Sequence, residues 1–378
     1  MKDDFPAFYR PTAEEFDTLW KKCTFIFDAN VLLNLYRYSP ETRLELINTL
    51  QTLQSTSQLW LPHQAILEYH KNRLGVIINE KSKFKQISLS IDKHIKGLKD
   101  DLKKEDRDRK NTYTASIITT LEKVIDKNMK EITDELDRQT KGRPDWIKKD
   151  DIREKLSELL KGKIGTPYDD NKLEDIYKKA QMRYDLKIPP GYKDAEEKEG
   201  YAKYGDVVLW FQIIDYAEKN KLPVIFVTDD TKEDWWNPET EDNDKQPAYE
   251  LIQEFTSKTG CSFFMYSPDR FLFWAKKQIG AKVSDKTIEE IQQVKSFQDA
   301  INANKKNQLK PEQAMELMTA VIQSPALTNI VTRQMKGEKI DSTEILNALA
   351  NTTPEISSKV IRAILASQKT VKEGDIIS

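Results

Sequence analysis

The residues in this chain best suited to chemistry are carboxylates placed where structural elements begin and end. Asp28 closes the apolar run 24–27, and Glu68 lies one helical turn into the stretch that follows Pro62. Asp206 follows Gly205 at the head of an apolar stretch, and Asp229 and Asp230 close the apolar run 222–227. Ionised carboxylates held side by side repel one another unless some are protonated or a cation neutralises them. The chain has only three histidines (His63, His70 and His94) and two distant cysteines, Cys23 and Cys261. A thiol-built zinc site is excluded and a histidine-rich centre is disfavoured, which leaves oxygen ligation of Mg2+ or Mn2+ as the natural alternative. One such ion, or a pair about 3.5–4 Å apart, activates water for phosphodiester hydrolysis without any histidine.

Each acid also has a plain structural reading. Asp28 or Asp206 alone reads equally well as a helix N-cap, Glu68 as a surface helix residue, and Asp229-Asp230 as a turn. What singles them out is their joint order on a framework of alternating strands and helices. Strands are expected at 24–27, 59–61, 222–227 and 262–266. Helices are expected around 12–20, 30–39, 41–53, 171–186, 207–217, 248–257 and 268–278. This alternation predicts an α/β fold with a mostly parallel sheet flanked by helices. In such a sheet all the acids fall at the carboxyl edge, where open α/β sheets place their ligands.

Between 63 and about 160 the pattern is helical. Phe84, Ile87, Ile91, Ile95, Leu98 and Leu102 recur in steps of three and four, and a very polar break at 100–111 follows. Ile118, Leu121, Ile125, Met129, Ile132 and Leu136 then form a matching series. Two seams joined by a polar tip predict an antiparallel helical hairpin inserted at about 79–160, with a continuous coiled coil as the competing picture. A short helix at 152–160 is expected to close this insertion. The α/β body that bears the acids is expected over 1–280. After Gly280 glycine and aromatics nearly vanish, which predicts a small all-α segment over 284–378, with a helix starting at Thr353-Pro354-Glu355.

Charged residues make up 32% of the chain and hydrophobic ones 38%, a composition of folded, rather helical proteins. A net charge of -2 provides no global positive field, so binding of nucleic acid would need a local basic patch. No apolar run approaches about 18 residues, so no membrane span is expected. The acidic N-terminus does not read as a signal peptide. The two distant cysteines suit a reducing, cytoplasmic compartment.

Several motifs carry a family resemblance. They are Phe27-Asp28-Ala29-Asn30-Val31-Leu32-Leu33, Glu68, Gly205-Asp206 and Val227-Thr228-Asp229-Asp230. To these are added Pro189-Pro190-Gly191-Tyr192-Lys193-Asp194, Lys203-Tyr204-Gly205-Asp206 and Asp229-Asp230-Thr231-Lys232-Glu233-Asp234-Trp235-Trp236. The set resembles the acidic signatures of the PIN-domain nucleases, and most closely a PIN-like subgroup of bacterial proteins, over roughly 23–274. The resemblance implies Mg2+- or Mn2+-dependent endonuclease activity, on RNA more often than DNA, and a place in bacterial stress response or phage defence.

By the same resemblance Asp28, Glu68 and Asp206 are metal-binding catalytic acids. The Thr-x-Asp spacing makes Asp230 the fourth, with Asp229 an alternative ligand. Asn30 and Thr228 are supports that hydrogen-bond to the acids, and Asp234 an outer contact. Arg37, Lys71, Arg73, Lys203 and Lys232 lie close in sequence to the acids and are candidate phosphate contacts. Tyr192, Tyr204, Trp235 and Trp236 are candidates for base stacking, with core packing favoured for the two tryptophans. The hairpin or the C-terminal helices are candidate surfaces for a protein partner or for self-association. Two other readings stay open. A catalytically silent PIN-like scaffold is one. A haloacid-dehalogenase-like phosphatase is the other, but it wants a second acid two residues after Asp28, where this chain has Asn30.

Overall fold

The structure is a computed structural model and describes residues 1, 8–9, 11–109, 112–196, 198–240 and 245–307. The expected helix start at 353 and most of the C-terminal segment lie outside them. One compact unit spans Met1–Val294, and Lys295–Ser378 forms a second.

The first unit begins with α1 (Ala13–Lys22), opened by a reciprocal capping box between Thr12 and Glu15. Next come β1 (Thr24–Phe27), α2 (Ala29–Asn34) and α3 (Pro40–Ser55), the last with Ser39 as its cap and proline at its first position. Two long helices, α4 (His63–Arg109) and α5 (Thr112–Lys141), precede α6 (Asp151–Leu159) and α7 (Asp170–Asp185). Two short 3-10 turns, Tyr192–Glu196 and Gly200–Tyr204, lead into α8 (Gly205–Asn220) and β2 (Val224–Val227). The order closes with α9 (Tyr249–Thr259), β3 (Phe263–Tyr266), α10 (Pro268–Gln278) and α11 (Asp285–Asn307).

The three strands are parallel, in the order β1-β2-β3, with Phe27 beside Val227 and Val227 beside Tyr266. Every strand residue is buried. The two-residue period of the strand divides them cleanly between two cores. Phe25, Phe27, Ile225, Val227, Phe264 and Tyr266 pack with residues of α1, α2, α3, α6 and α10. Ile26, Val224, Phe226, Phe263 and Met265 pack with α8 and α9. Helices therefore cover both faces, as near-continuous apolar strands require.

Three expectations change in detail. Residues 59–61 make only isolated parallel bridges, Leu59 with Phe25 and Leu61 with Ile164. Pro62 cannot donate to a ladder and α4 starts at the next residue, so the run is too short to be a strand. The stretch expected to close the insertion packs instead in the main core, through Ile152, Leu156 and Leu159 of α6. Beyond Gly280, Glu290 accepts bonds from Ser39 N (2.5 Å), Ser39 Oγ (2.7 Å) and Thr42 Oγ1 (2.7 Å), and Ile291 is buried. The compact unit thus extends past the glycine.

The hairpin is antiparallel. Lys99 pairs with Asp126, and Lys103 with Glu122 at 3.3 Å, so the helices run in opposite directions past one another. No described side chain from 81 to 138 is buried.

Candidate active site

The register of the sheet sets the first contacts. Asp28 N donates to Val227 O (3.0 Å) and Thr228 N to Tyr266 O (3.1 Å), so Asp28 and Thr228 leave neighbouring strands side by side. Asp28 caps α2: its Oδ1 accepts from Ala29 N at 2.7 Å. Its Oδ2 accepts from Asn30 Nδ2 and from Thr228 Oγ1, both at 2.8 Å. Asn30 also reaches across to the second strand, donating to Thr228 Oγ1 (3.0 Å) and accepting from Asp229 N (3.0 Å). Asp230 N donates to the same threonine hydroxyl at 3.1 Å. Asn30 and Thr228 thus lock the two strand ends together around Asp28. An aspartate at 30 would lack the amide donor and set a second charge against Asp28, which speaks against the phosphatase arrangement.

Burial pushes the Asp28 carboxyl up to about 7, and the charges of Glu68 and Asp230 push it further in that direction against the hydrogen bonds from Thr228 and Ala29. The two acids therefore face Asp28 closely enough to oppose its ionisation. Glu68 sits in the second turn of α4, where Gln64, one turn earlier, donates to its Oε1 at 2.6 Å. Gln64 N is itself held by Gln212 Oε1 of α8 at 2.9 Å, which fixes α4 against α8.

Glycine lets the acids approach at two points. A Cβ on Gly205 would stand 2.6 Å from Glu68 Oε1, so any larger residue there would make that carboxylate shift from its place beside the start of α8. Gly191 has φ +88°, and a Cβ there would stand 2.6 Å from Tyr184 Oη and 2.8 Å from Asp206 Cβ. The Pro-Pro-Gly loop thus lies directly on Asp206, which occupies the first turn of α8, where the helix dipole favours negative charge.

The doubled acid separates into two roles. Asp230 bonds to Lys232 through Oδ1 (backbone N, 2.9 Å) and Oδ2 (Nζ, 3.0 Å), and its charge reaches Asp28. Asp229 turns the other way: Asn34 Nδ2 donates to its Oδ2 at 2.7 Å, and its charge helps push the buried Tyr38 hydroxyl upward. Asp234 is 1% exposed and accepts from Gly191 N and Lys193 N, both at 3.0 Å. It ties the 189–194 loop down, a role that differs from the outer contact expected for it.

The basic candidates divide as well. Arg73 is 8% exposed and ion-paired with Asp150, which also accepts from Tyr36. This corrects its reading as a phosphate contact, because its charge serves the core. Arg37 donates to Asn34 Oδ1 (2.5 Å) and lies 3.6 Å from Glu80. Lys232 is at the acidic edge, Lys203 donates to Gln181 Oε1 at 3.3 Å, and Lys71 is exposed on α4. Trp235 and Trp236 are both buried in the α8–α9 core, and Trp236 Nε1 donates to Asp230 O at 2.5 Å. Tyr204 is buried, against Tyr177 and Tyr184, and Tyr192 is partly buried against the same cluster. Gln64, Asn34 and Gly191 are positioning residues absent from the expected set. Of these, Gln64 leaves a sequence signal, four residues ahead of Glu68 on one helix, and Gly191 lies inside the 189–194 motif.

Among the described residues no three His, Cys, Asp or Glu side chains are grouped so as to hold a metal ion. The donors nevertheless suit a hard cation. They are carboxylate oxygens only, and a cation there would offset both the burial of the Asp28 charge and the repulsion from Glu68 and Asp230.

Residues 24–251 match the family model described as a PIN-like domain. The chain belongs to the PIN-like domain family. No curated protein and no solved structure matches it. The PIN-like span opens with the first residue of β1 and ends inside α9, so it includes all the acids above and the whole hairpin. No helix among the described residues is long and apolar enough to cross a membrane.

Proposed function

We propose that the protein is a divalent-metal-dependent endonuclease that hydrolyses phosphodiester bonds, with RNA the leading substrate over DNA. Members of this family are commonly nucleases and typically depend on divalent metals. One observation carries the reading. Asp28 and Asp230 from neighbouring strand ends, Glu68 from α4 and the Gly205-Asp206 start of α8 meet at a single sheet edge. Asp28, Glu68, Asp206 and Asp230 would hold Mg2+ or Mn2+. When bound, the ion would supply charge neutralisation and Lewis-acid activation for attack on phosphorus.

The chain's own residues do the rest. Asn30 and Thr228 orient Asp28, Gln64 orients Glu68, and the Gly191 loop walls off Asp206. Lys232 keeps a positive charge beside Asp230, and with Arg37, Lys71 and Lys203 it is a candidate contact for phosphates; such binding should weaken with salt. The resemblance to bacterial PIN-like proteins supports a role in stress response or phage defence.

The test is cleavage of matched single- and double-stranded RNA and DNA with Mn2+ or Mg2+ present or chelated. Cleavage that requires metal and falls to background in Asp28→Asn and Asp206→Asn, with unfolding midpoints retained, is the expected result. Equal cleavage by parent and variants would overturn it. A second reading, a non-cleaving scaffold, draws on the Lys232–Asp230 pair and the lack of a preassembled ion site among the described residues. It predicts no cleavage of any of the four substrates.

A further inference from the structure

With a net charge of -2, this chain can draw in nucleic acid only through a local patch of cations. The basic residues near the acids are mostly engaged. Arg73 is paired with Asp150, Arg37 lies against Glu80 and Lys232 is held by Asp230. On the α4–α5 hairpin, an arm that stands outside the core, lysines face acids: Lys99 meets Asp126 and Lys103 meets Glu122.

One stretch differs. From 270 to 282 the chain carries Arg270, Lys276, Lys277 and Lys282 and no acid. Lys276 is taken up by Asp285 at 2.8 Å. Arg270 and Lys277 rest on aromatic rings instead, and neither makes an ion pair with a described carboxylate. The Arg270 guanidinium lies 4.9 Å from the centre of the Phe273 ring. Lys277 Nζ lies 4.2 Å from that of Phe273 and 5.2 Å from that of Trp274. A ring face holds a cation in place without using up its N–H donors, which stay open to an anion.

Steps of three and four put Arg270, Phe273, Trp274 and Lys277 on one face of α10, at about 100° per residue. Phe271, Leu272 and Ala275 are buried on the opposite face. Asp269, the one acid of the helix, is buried and accepts from Gln292 at 3.2 Å. The cationic face leads to the acidic edge. α10 starts where β3 ends, beside Thr228, whose N donates to Tyr266 O. In its first turn Arg270 lines a cleft along β3 together with Trp236, Lys245, Gln246, Ser267 and Trp274. Among the described residues no carboxylate lines this cleft. Trp236 in its wall donates to Asp230 O at 2.5 Å. From Arg270 the face runs about 10 Å along α10 to Lys277, at 1.5 Å per residue. Cations interleaved with aromatic rings, next to acids that would hold a metal, match the phosphates of a strand better than any acidic protein surface.

We propose that the Arg270–Lys277 face of α10, with the cleft beside Trp236, binds the phosphate backbone of the nucleic-acid strand that is cut at the acids. The strand passes Trp236 on leaving the acidic edge, meets Arg270 first and reaches Lys277 two turns further on. The identity of the ligand rests on the nuclease reading.

The test is fluorescence anisotropy of labelled single-stranded RNA titrated with the full chain, metal chelated so that nothing is cut, over a salt series. Arg270→Gln/Lys277→Gln should weaken binding at least about tenfold at low salt. It should also flatten the dependence of log affinity on log salt by about 0.7 for each cation lost. Arg270→Lys, which keeps the charge, should keep the slope, and Lys155→Gln, exposed on α6, should change neither quantity. Unfolding midpoints should not move, because both positions lie on the solvent face of α10. Equal affinity and slope in parent and double variant would overturn the proposal, and would leave the nuclease reading standing if the parent cuts RNA with Mn2+. No binding by the folded parent would overturn it as well. A parent that binds through these residues but cuts nothing with Mn2+ would support the surface and overturn the nuclease reading. Self-association lost in the double variant, with RNA affinity unchanged, would assign the face to a second copy and overturn the proposal.

Discussion

The sheet and the arm solve the same problem in opposite ways. In the sheet all strand side chains are buried, shared between two cores, whereas along the arm no described side chain is. The acids follow the same division. On the arm they face lysines across the hairpin, as in the Lys103–Glu122 pair, where each charge is screened and worth little. At the sheet edge they gather with few cations among them, partly buried, until Asp28 resists ionisation near neutral pH. Aspartate and glutamate are thus stabilising ornaments in one region and a store of unrelieved charge in the other. Burial decides which.

That contrast can be broken or sharpened by experiment. The largest effect should come from Trp210→Ala. Trp210 is fully buried, packs against Trp235, Phe255 and Phe263, and donates to Glu254 Oε2 at 2.8 Å. Denaturant unfolding should show a loss of about 3–5 kcal/mol; a loss below about 1 kcal/mol would mean the α8–α9 core does not carry the fold.

Next is Glu254, which clamps the loop over the site. Arg183 donates to both its oxygens at 2.8 Å and also holds Pro189 O. Burial alone would raise the Glu254 carboxyl, but the Arg183, Lys258 and Trp210 hydrogen bonds and the Arg183 charge outweigh it and hold the group at about 2, below its ordinary 4.5. A carboxyl lowered in the folded state binds fewer protons than in the unfolded chain. Its stabilisation is therefore complete above pH about 4.5 and is lost as pH falls toward 2. The amount is on the order of 3 kcal/mol. In Glu254→Gln this part of the acid-side slope should vanish from a pH series of unfolding curves.

The smallest effect should be on the arm. Lys99→Ala removes the pair with Asp126 and should change the stability of the single chain by no more than about 1 kcal/mol. A larger loss would show that the arm is coupled to the core.

Much of this division was readable in the residues. The strands announce themselves as short apolar runs, and Pro62 and Gly205 mark where the elements bearing Glu68 and Asp206 begin. The arm was readable because its seams repeat in steps of three and four around a polar break. What could not be read depends on partners far apart in sequence. Asp229 and Asp230 are adjacent and chemically alike, and only the position of Asn34 after folding turns one aside. Arg73 looks like a free cation three residues from His70, yet its partner Asp150 comes from beyond the arm. Asp234 sits in an acidic, tryptophan-rich turn whose backbone partners, Gly191 and Lys193, come from another loop.

The central claim is that carboxylates from separate elements act as one cation-binding edge, and calorimetric titration of the metal-free chain with Mn2+ tests it without knowledge of the substrate. The account predicts saturable binding in the parent that Asp28→Asn and Asp206→Asn each weaken by at least about tenfold, with the fold intact. Binding of equal strength in parent and variants, or no binding by the folded parent, would contradict it.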